Sequence, residues 1–223
     1  DTIPYCKNII DKKKILIFGK PKYDYFWINI LKKNKNRKFD FKYDLIKNKC
    51  VIIFAYTSFF NLYKDIDEAL HTQLYDIVSA VLSFKNTILI FKIHPRANSK
   101  VFLKTLNKFD KSRWLISKNH ILSLASISNL FLHTPLTSTI TDALFLKIPT
   151  IEIWNVSNKI YFNERKIFDE QGLVNKVKNK NELSNLLKNK IYNQNNILIS
   201  KQFIKFNKIY RHNLRSVDFI IKK

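Results

Sequence analysis

Hydrophobic positions along the chain fall into two alternating kinds of run. Continuous apolar runs occupy residues 14–19 (KILIFG), 50–56 (CVIIFAY), 86–94 (NTILIFKIH), 113–117 (RWLIS), 129–134 (NLFLHT) and 149–154 (PTIEIW). Short runs rich in Ile, Phe and Leu, with little polar alternation, predict β-strands covered on both faces. Between them the apolar residues spread to a helical period. Over 65–84, Ile66, Leu70, Leu74, Ile77, Val78, Val81 and Leu82 share one stripe, and Asp65, Asp67 and Glu68 suit the N-terminal turn. Further helices are predicted over 99–109, 120–127, 137–147 and 180–191, with a basic helical stretch from about 196.

Strands alternating with helices imply right-handed βαβ units around a parallel sheet. The predicted fold class is therefore α/β: a Rossmann-like doubly wound parallel sheet flanked by helices. Residues 32–49 are polar and basic with no clear period, and read as a linker or loop. This divides the chain into 1–49, a strand and basic linker segment; 50–195, the α/β domain; and 196–223, a C-terminal basic helix.

Composition narrows the class. At 223 residues, 46% hydrophobic and 14% aromatic, the chain can bury a proper core. Forty Lys and Arg against 17 Asp and Glu give a formal charge of +23. Such a balance suits nucleic acid, an anionic membrane surface or an anionic substrate. An AT-rich genome would impose the same abundance of Lys, Asn, Ile and Phe on any surface. Cys6 and Cys50 lie far apart, which fits a reducing compartment and no zinc site. No apolar run approaches the roughly 20 residues of a membrane-spanning helix. The start lacks the apolar core of a signal peptide, and Met is absent throughout, so the chain reads as a piece of a longer protein.

In an open parallel sheet, ligands bind outside the carboxyl ends of the strands. That rule selects Thr57 and Ser58 after the second run, His94 and Arg96 after the third, His133 and Thr134 after the fifth, and Glu152 in the sixth. Pro95 restricts His94 to extended backbone, so its imidazole can meet a phosphate oxygen or a leaving group. Arg96 can add a charge-assisted contact. A bland reading also exists, in which His94 bonds a loop carbonyl. Thr137, Ser138 and Thr139 form a hydroxyl cluster before a helix, where they either cap backbone N–H groups or hold a phosphate. Asp142, one turn inside, can cap backbone or bond a sugar or base. Glu152 suits a ribose hydroxyl, and equally an outward-facing edge position.

A strand ending in KIHPR, a helix, and then HTPLTSTITDALFLKIPTIEI resemble the C-terminal, nucleotide-sugar-binding half of GT-B glycosyltransferases. The similarity is to bacterial surface-polysaccharide enzymes, including capsule Kdo transferases and polysialyltransferases, and covers roughly residues 14–190. Lys147-Ile148 stands where the family usually has Gly-Lys, so the tight helix end must be made without Gly. ILIFGKPKYD (15–24) resembles the strand and loop joining the two halves, which makes 1–49 an interdomain segment.

The resemblance implies that His94 and the Thr137 to Thr139 turn contact the donor's phosphate, His94 stabilising the leaving group. It implies a glycosyltransferase for capsule or lipopolysaccharide synthesis, acting on a nucleotide-sugar donor (CMP-linked favoured, UDP- or CDP-linked also compatible) and a glycan acceptor. Sugar transfer without a metal or other cofactor is expected. The base generally comes from the N-terminal half, so that domain is expected as a missing partner and the chain as inactive alone. Localisation is expected in the cytoplasm, peripheral at the inner face of the plasma membrane through its basic charge. Three alternatives remain: a sugar-nucleotide 2-epimerase, a teichoic-acid-type glycerophosphotransferase, and a basic nucleic-acid-binding module. The last lacks any RNP, KH or zinc-finger signature, and no specific nucleic acid is expected.

Overall fold

Strand β1 (Cys50–Tyr56) shows why the apolar runs carry no alternation. Ile52, Phe54 and Tyr56 pack into one core layer while Val51, Ile53 and Ala55 pack into another, so both faces are buried. The computed structural model describes residues 29–30, 39–56, 64–93, 99–134, 137, 139–153, 172–193 and 201–206. The strand predicted over 14–19 lies outside them.

After β1 come α1 (Lys64–Leu82), β2 (Thr87–Ile93), α2 (Ser99–Leu106), β3 (Trp114–Ile116), α3 (Ile121–Ala125), β4 (Leu130–His133), α4 (Thr139–Phe145), β5 (Thr150–Ile153), β6 (Asn175–Val177) and α5 (Lys180–Asn193). The six strands form one parallel sheet in the order β3-β2-β1-β4-β5-β6. The α/β doubly wound architecture expected from the alternating pattern is thus present.

Right-handed crossovers place helices on opposite faces when the direction of strand addition reverses. The core follows this rule. Leu74, Ile77 and Val78 of α1, Phe102 and Leu106 of α2, and Leu183 and Leu187 of α5 cover the first face. Ile121, Leu122 and Leu124 of α3, and Ala143 of α4, cover the second. The reversal falls between β1 and β4, which makes the crevice above their carboxyl ends the topological switch point.

Three details differ from the pattern-based expectation. The polar strand ends at 94 and 133 predict that the strands at 86–94 and 129–134 are neighbours; instead β1 lies between them, paired with both. Strand β6 was not anticipated, because its three residues include the half-buried polar Asn175 and Lys176. Glu152 is no edge residue, since β5 is paired on both sides and Glu152 is 4% exposed.

Flanking segments are tied to this sheet. Phe39 and Phe41 stack at 5.0 Å and, with Ile46, pack on the second face. Asp40 accepts hydrogen bonds from Ser117 Oγ (2.7 Å), the Lys118 amide (2.6 Å) and Asn119 Nδ2 (2.7 Å) just beyond β3. In the helical stretch 201–206, Gln202 bonds both the amide and carbonyl of Thr150 at 3.2 Å, and Phe206 joins Ile140, Leu144, Leu173 and Val174.

Candidate functional site at the strand switch point

β1 and β2 end in register at Tyr56 and Ile93, and β4 ends at His133 opposite Ala55. Thr134 continues the pairing by one bond, its amide donating to the Ala55 carbonyl at 3.3 Å. Here the polar residues of three strands converge. Side chains alternate along a strand, so Lys92, Ala55, His133, Glu152 and Lys176, opposite one another in register, form a single row on the second face. His133 is its middle member, and the smallest side chain, Ala55, stands between Lys92 and His133.

His133 is 1% exposed. Its Nδ1 lies 3.0 Å from the Thr134 carbonyl, an acceptor only, which assigns the proton to Nδ1. The Glu152 carboxyl oxygen is 3.9 Å from the same nitrogen, too far for a hydrogen bond. Nε2 is buried with no hydrogen-bond partner. Burial pushes the imidazole pKa down to about 4, outweighing the opposite pull of the Thr134 carbonyl. The ring is neutral at pH 7, and Nε2 offers a lone pair.

Lys92, half-buried on β2, donates to the Lys118 carbonyl at 2.9 Å. Desolvation lowers its pKa, against the charge of Asp40, which raises it. Asp40 fixes the 117–119 segment whose Lys118 carbonyl receives the Lys92 hydrogen bond at one end of the row.

The hydroxyl turn follows β4. Thr137 and Thr139 hydroxyls are 2.8 Å apart, and the Thr139 amide approaches Thr137 Oγ1 at 3.4 Å. Helix α4 opens at Thr139, so Thr137 lies two residues ahead of it. Thr134 and Thr137 are buried, and Asp142 is 2% exposed in the first turn of α4. At the other end of α4, Lys147 adopts φ 63°, the left-handed conformation that Gly usually supplies. The Ile148 amide closes the helix on the Ala143 carbonyl at 2.9 Å, and Lys147 Nζ sits 4.5 Å from the Phe203 ring centroid. The tight helix end without Gly is made by Lys147 itself.

Of the residues singled out from sequence, Thr134, Thr137, Thr139, Asp142 and Glu152 come to the carboxyl ends of β4 and β5 or to the start of α4. Thr57, Ser58, His94, Arg96 and Ser138 lie outside the described residues. Sequence reasoning passed over the acceptor role of His133 and the link from Asp40 to Lys92. Parity within β4 held the signal for the first, since Phe131 and His133 share a face, their ring centroids 6.3 Å apart. Among the described residues, no group of three or more His, Cys, Asp or Glu is arranged to hold a metal ion. Nor is any described helix long and apolar enough to cross a membrane.

No protein-family model and no curated protein sequence matches the chain. Solved structures do share its fold. The wall teichoic acid polymerase TagF superposes with a TM-score of 0.57 at 15% identity, over 95% of this chain and 52% of that one. Staphylococcus aureus MnaA, solved with UDP, gives 0.56 at 14% identity, over 94% and 53%. The UDP-GlcNAc 2-epimerase of Methanocaldococcus jannaschii, in complex with UDP-GlcNAc and UDP, gives 0.52 at 22% identity, over 82% and 49%. The chain thus spans about half the length of these proteins. Its sheet and helices have the Rossmann-like architecture of one GT-B half.

Proposed function

We propose that the chain is the donor-binding half of a GT-B glycosyltransferase that uses a nucleotide sugar in bacterial surface polysaccharide synthesis. The observation that carries this reading is the hydroxyl turn of Thr137 and Thr139, which leaves β4 beside the β1/β4 switch point. In this reading Thr137, Ser138 and Thr139, with His94 and Arg96, receive the donor's phosphate, and His94 stabilises the leaving group. The same reading assigns donor contacts to Thr57, Ser58 and Thr134, and the sugar or base to Asp142 and Glu152. Residues 50–195 form the donor-binding unit, and an N-terminal half supplies the acceptor site and base. The basic surface holds the enzyme against the anionic inner leaflet.

Solved proteins carrying UDP on the same fold support the nucleotide part of this reading. Equal likeness to a 2-epimerase keeps that activity as the second reading. A thermal-shift panel of CMP, CDP, UDP, GDP and their sugars tests the first, because a ligand selective for the native state raises the melting temperature. A shift by one nucleotide and its sugar is expected; no shift with any of them sinks the reading. Conversion of UDP-GlcNAc to its 2-epimer by this chain would favour the second.

A further inference from the structure

The polar row at the switch point contains a group that phosphate chemistry does not use. His133 Nε2 is buried and unpartnered among the described residues, while Nδ1 is committed to the Thr134 carbonyl. A buried polar atom costs stability unless something bonds it. Because the proton sits on Nδ1, Nε2 can only accept. The lone pair on Nε2 repels an anion, and the Glu152 carboxyl lies 3.9 Å from Nδ1 of the same ring. What fits is a neutral group that brings its own N–H or O–H.

We propose that His133 Nε2 accepts a hydrogen bond from the nucleoside part of the ligand, making His133 a specificity-determining residue distinct from the phosphate-binding turn. The inference rests on the nucleotide-binding reading above. His133 is the last residue of β4, and it borders the crevice where the strand order reverses. Ala55, the next residue in the row, projects only a methyl group between His133 and Lys92. Suitable nucleoside donors are the ribose hydroxyls and the base N–H groups, among which the exocyclic amine of cytosine distinguishes that base from uracil. Uracil presents a carbonyl oxygen at the position of that amine, so an Nε2 lone pair facing it would favour cytosine.

The test titrates the whole chain with CMP, UMP and the 2′- and 3′-deoxy forms of CMP. His133→Asn keeps a polar atom near Nδ1 and removes the one at Nε2; His133→Gln places an amide near Nε2. Comparing ligand ratios within one folded protein makes the result independent of how much of a variant folds. The wild type is expected to prefer CMP over UMP, or ribo over deoxy forms, by roughly ten-fold. His133→Asn should erase that preference and His133→Gln retain part of it. Loss of the CMP preference assigns the bond to the base, and loss of the ribo preference assigns it to the sugar. A wild type with neither preference, or an Asn variant that keeps it, overturns the inference and leaves Nε2 to an internal water. A wild type that binds none of the four overturns the nucleotide reading and this inference together.

Discussion

Ala55 and His133 face each other across the β1–β4 junction, joined just beyond the register pair by the bond from the Thr134 amide to the Ala55 carbonyl. Ala55 is 4% exposed, so a bulkier side chain must displace its neighbours. Ala55→Leu is expected to cost about 1–3 kcal/mol by overpacking, read in urea unfolding. It should also weaken nucleotide binding in the folded fraction. Unchanged stability would show that space beside Ala55 is already empty.

The buried imidazole makes stability depend on pH. Folded His133 takes its proton near pH 4, whereas an unfolded histidine does so near 6.5. Between those values the unfolded chain binds the extra proton, so acid favours unfolding. Stability should fall as pH drops through this window, by up to about 1.4 kcal/mol per pH unit from this group. Above pH 6.5 the contribution is flat. Urea unfolding across this range should show the slope, and His133→Gln should remove that share of it. An identical slope in the variant would place the proton uptake elsewhere.

Lys147 carries a backbone conformation that costs L-residues about 1 kcal/mol or more. Lys147→Gly relieves it, but loses the ammonium over Phe203, worth about 0.5–1 kcal/mol at exposed sites, and loosens the unfolded chain. The net effect should lie within about 1 kcal/mol of neutral. Lys147→Ala keeps the strain and loses the cation, and should be the less stable of the two in thermal melts. The reverse ranking would mean that the Lys147–Phe203 contact dominates the turn.

Thr137→Val and Thr139→Val separate capping from phosphate binding. If the hydroxyls only close the turn, each change costs about 1 kcal/mol of stability, and folded protein binds nucleotide normally. If they hold phosphate, affinity for the nucleotide should fall roughly ten-fold or more. Affinity for the bare nucleoside should stay put. Equal weakening of both ligands by calorimetry would assign the turn to pocket shape.

Strands β1, β2 and β4 were legible because burial on both faces leaves a continuous apolar run, and β3 and β5 because Trp114, Leu115 and Ile116, and Ile151 and Ile153, keep short apolar runs of their own. β6 was not, because its half-buried Asn175 and Lys176 interrupt the run and leave Val177 as its buried residue. That omission had a consequence: without β6, β5 looked like an edge, and Glu152 could be read as facing solvent. Strand order was illegible for a different reason. Local pattern says which residues form strands, whereas the insertion of β1 between β2 and β4 depends on packing across the whole sheet. The polar row exists only in that order, so His133 could be noticed as a strand-end residue but not as a neighbour of Ala55 and Glu152. Asp40 reaches 77 to 79 positions along the chain to bond Ser117, Lys118 and Asn119, and nothing in its surroundings signals such a partner.

The central position of β1 also governs how the chain assembles itself. One flank of β1 is filled early, by β2, which follows within the same βαβ unit. The other flank waits for β4, and its first bonds join Val51 to Asn129, 78 residues downstream, at 2.8 Å in both directions. Until that segment arrives, the most apolar strand of the sheet presents an open row of N–H and C=O groups. Such an edge is a template for another chain, and closing so long a loop is slow compared with local pairing. During synthesis, the interval between the emergence of β1 and of β4 is when the nascent chain is most prone to associate with its own copies. Asn129, whose amide and side chain grip both backbone groups of Val51, is the residue that ends this exposure.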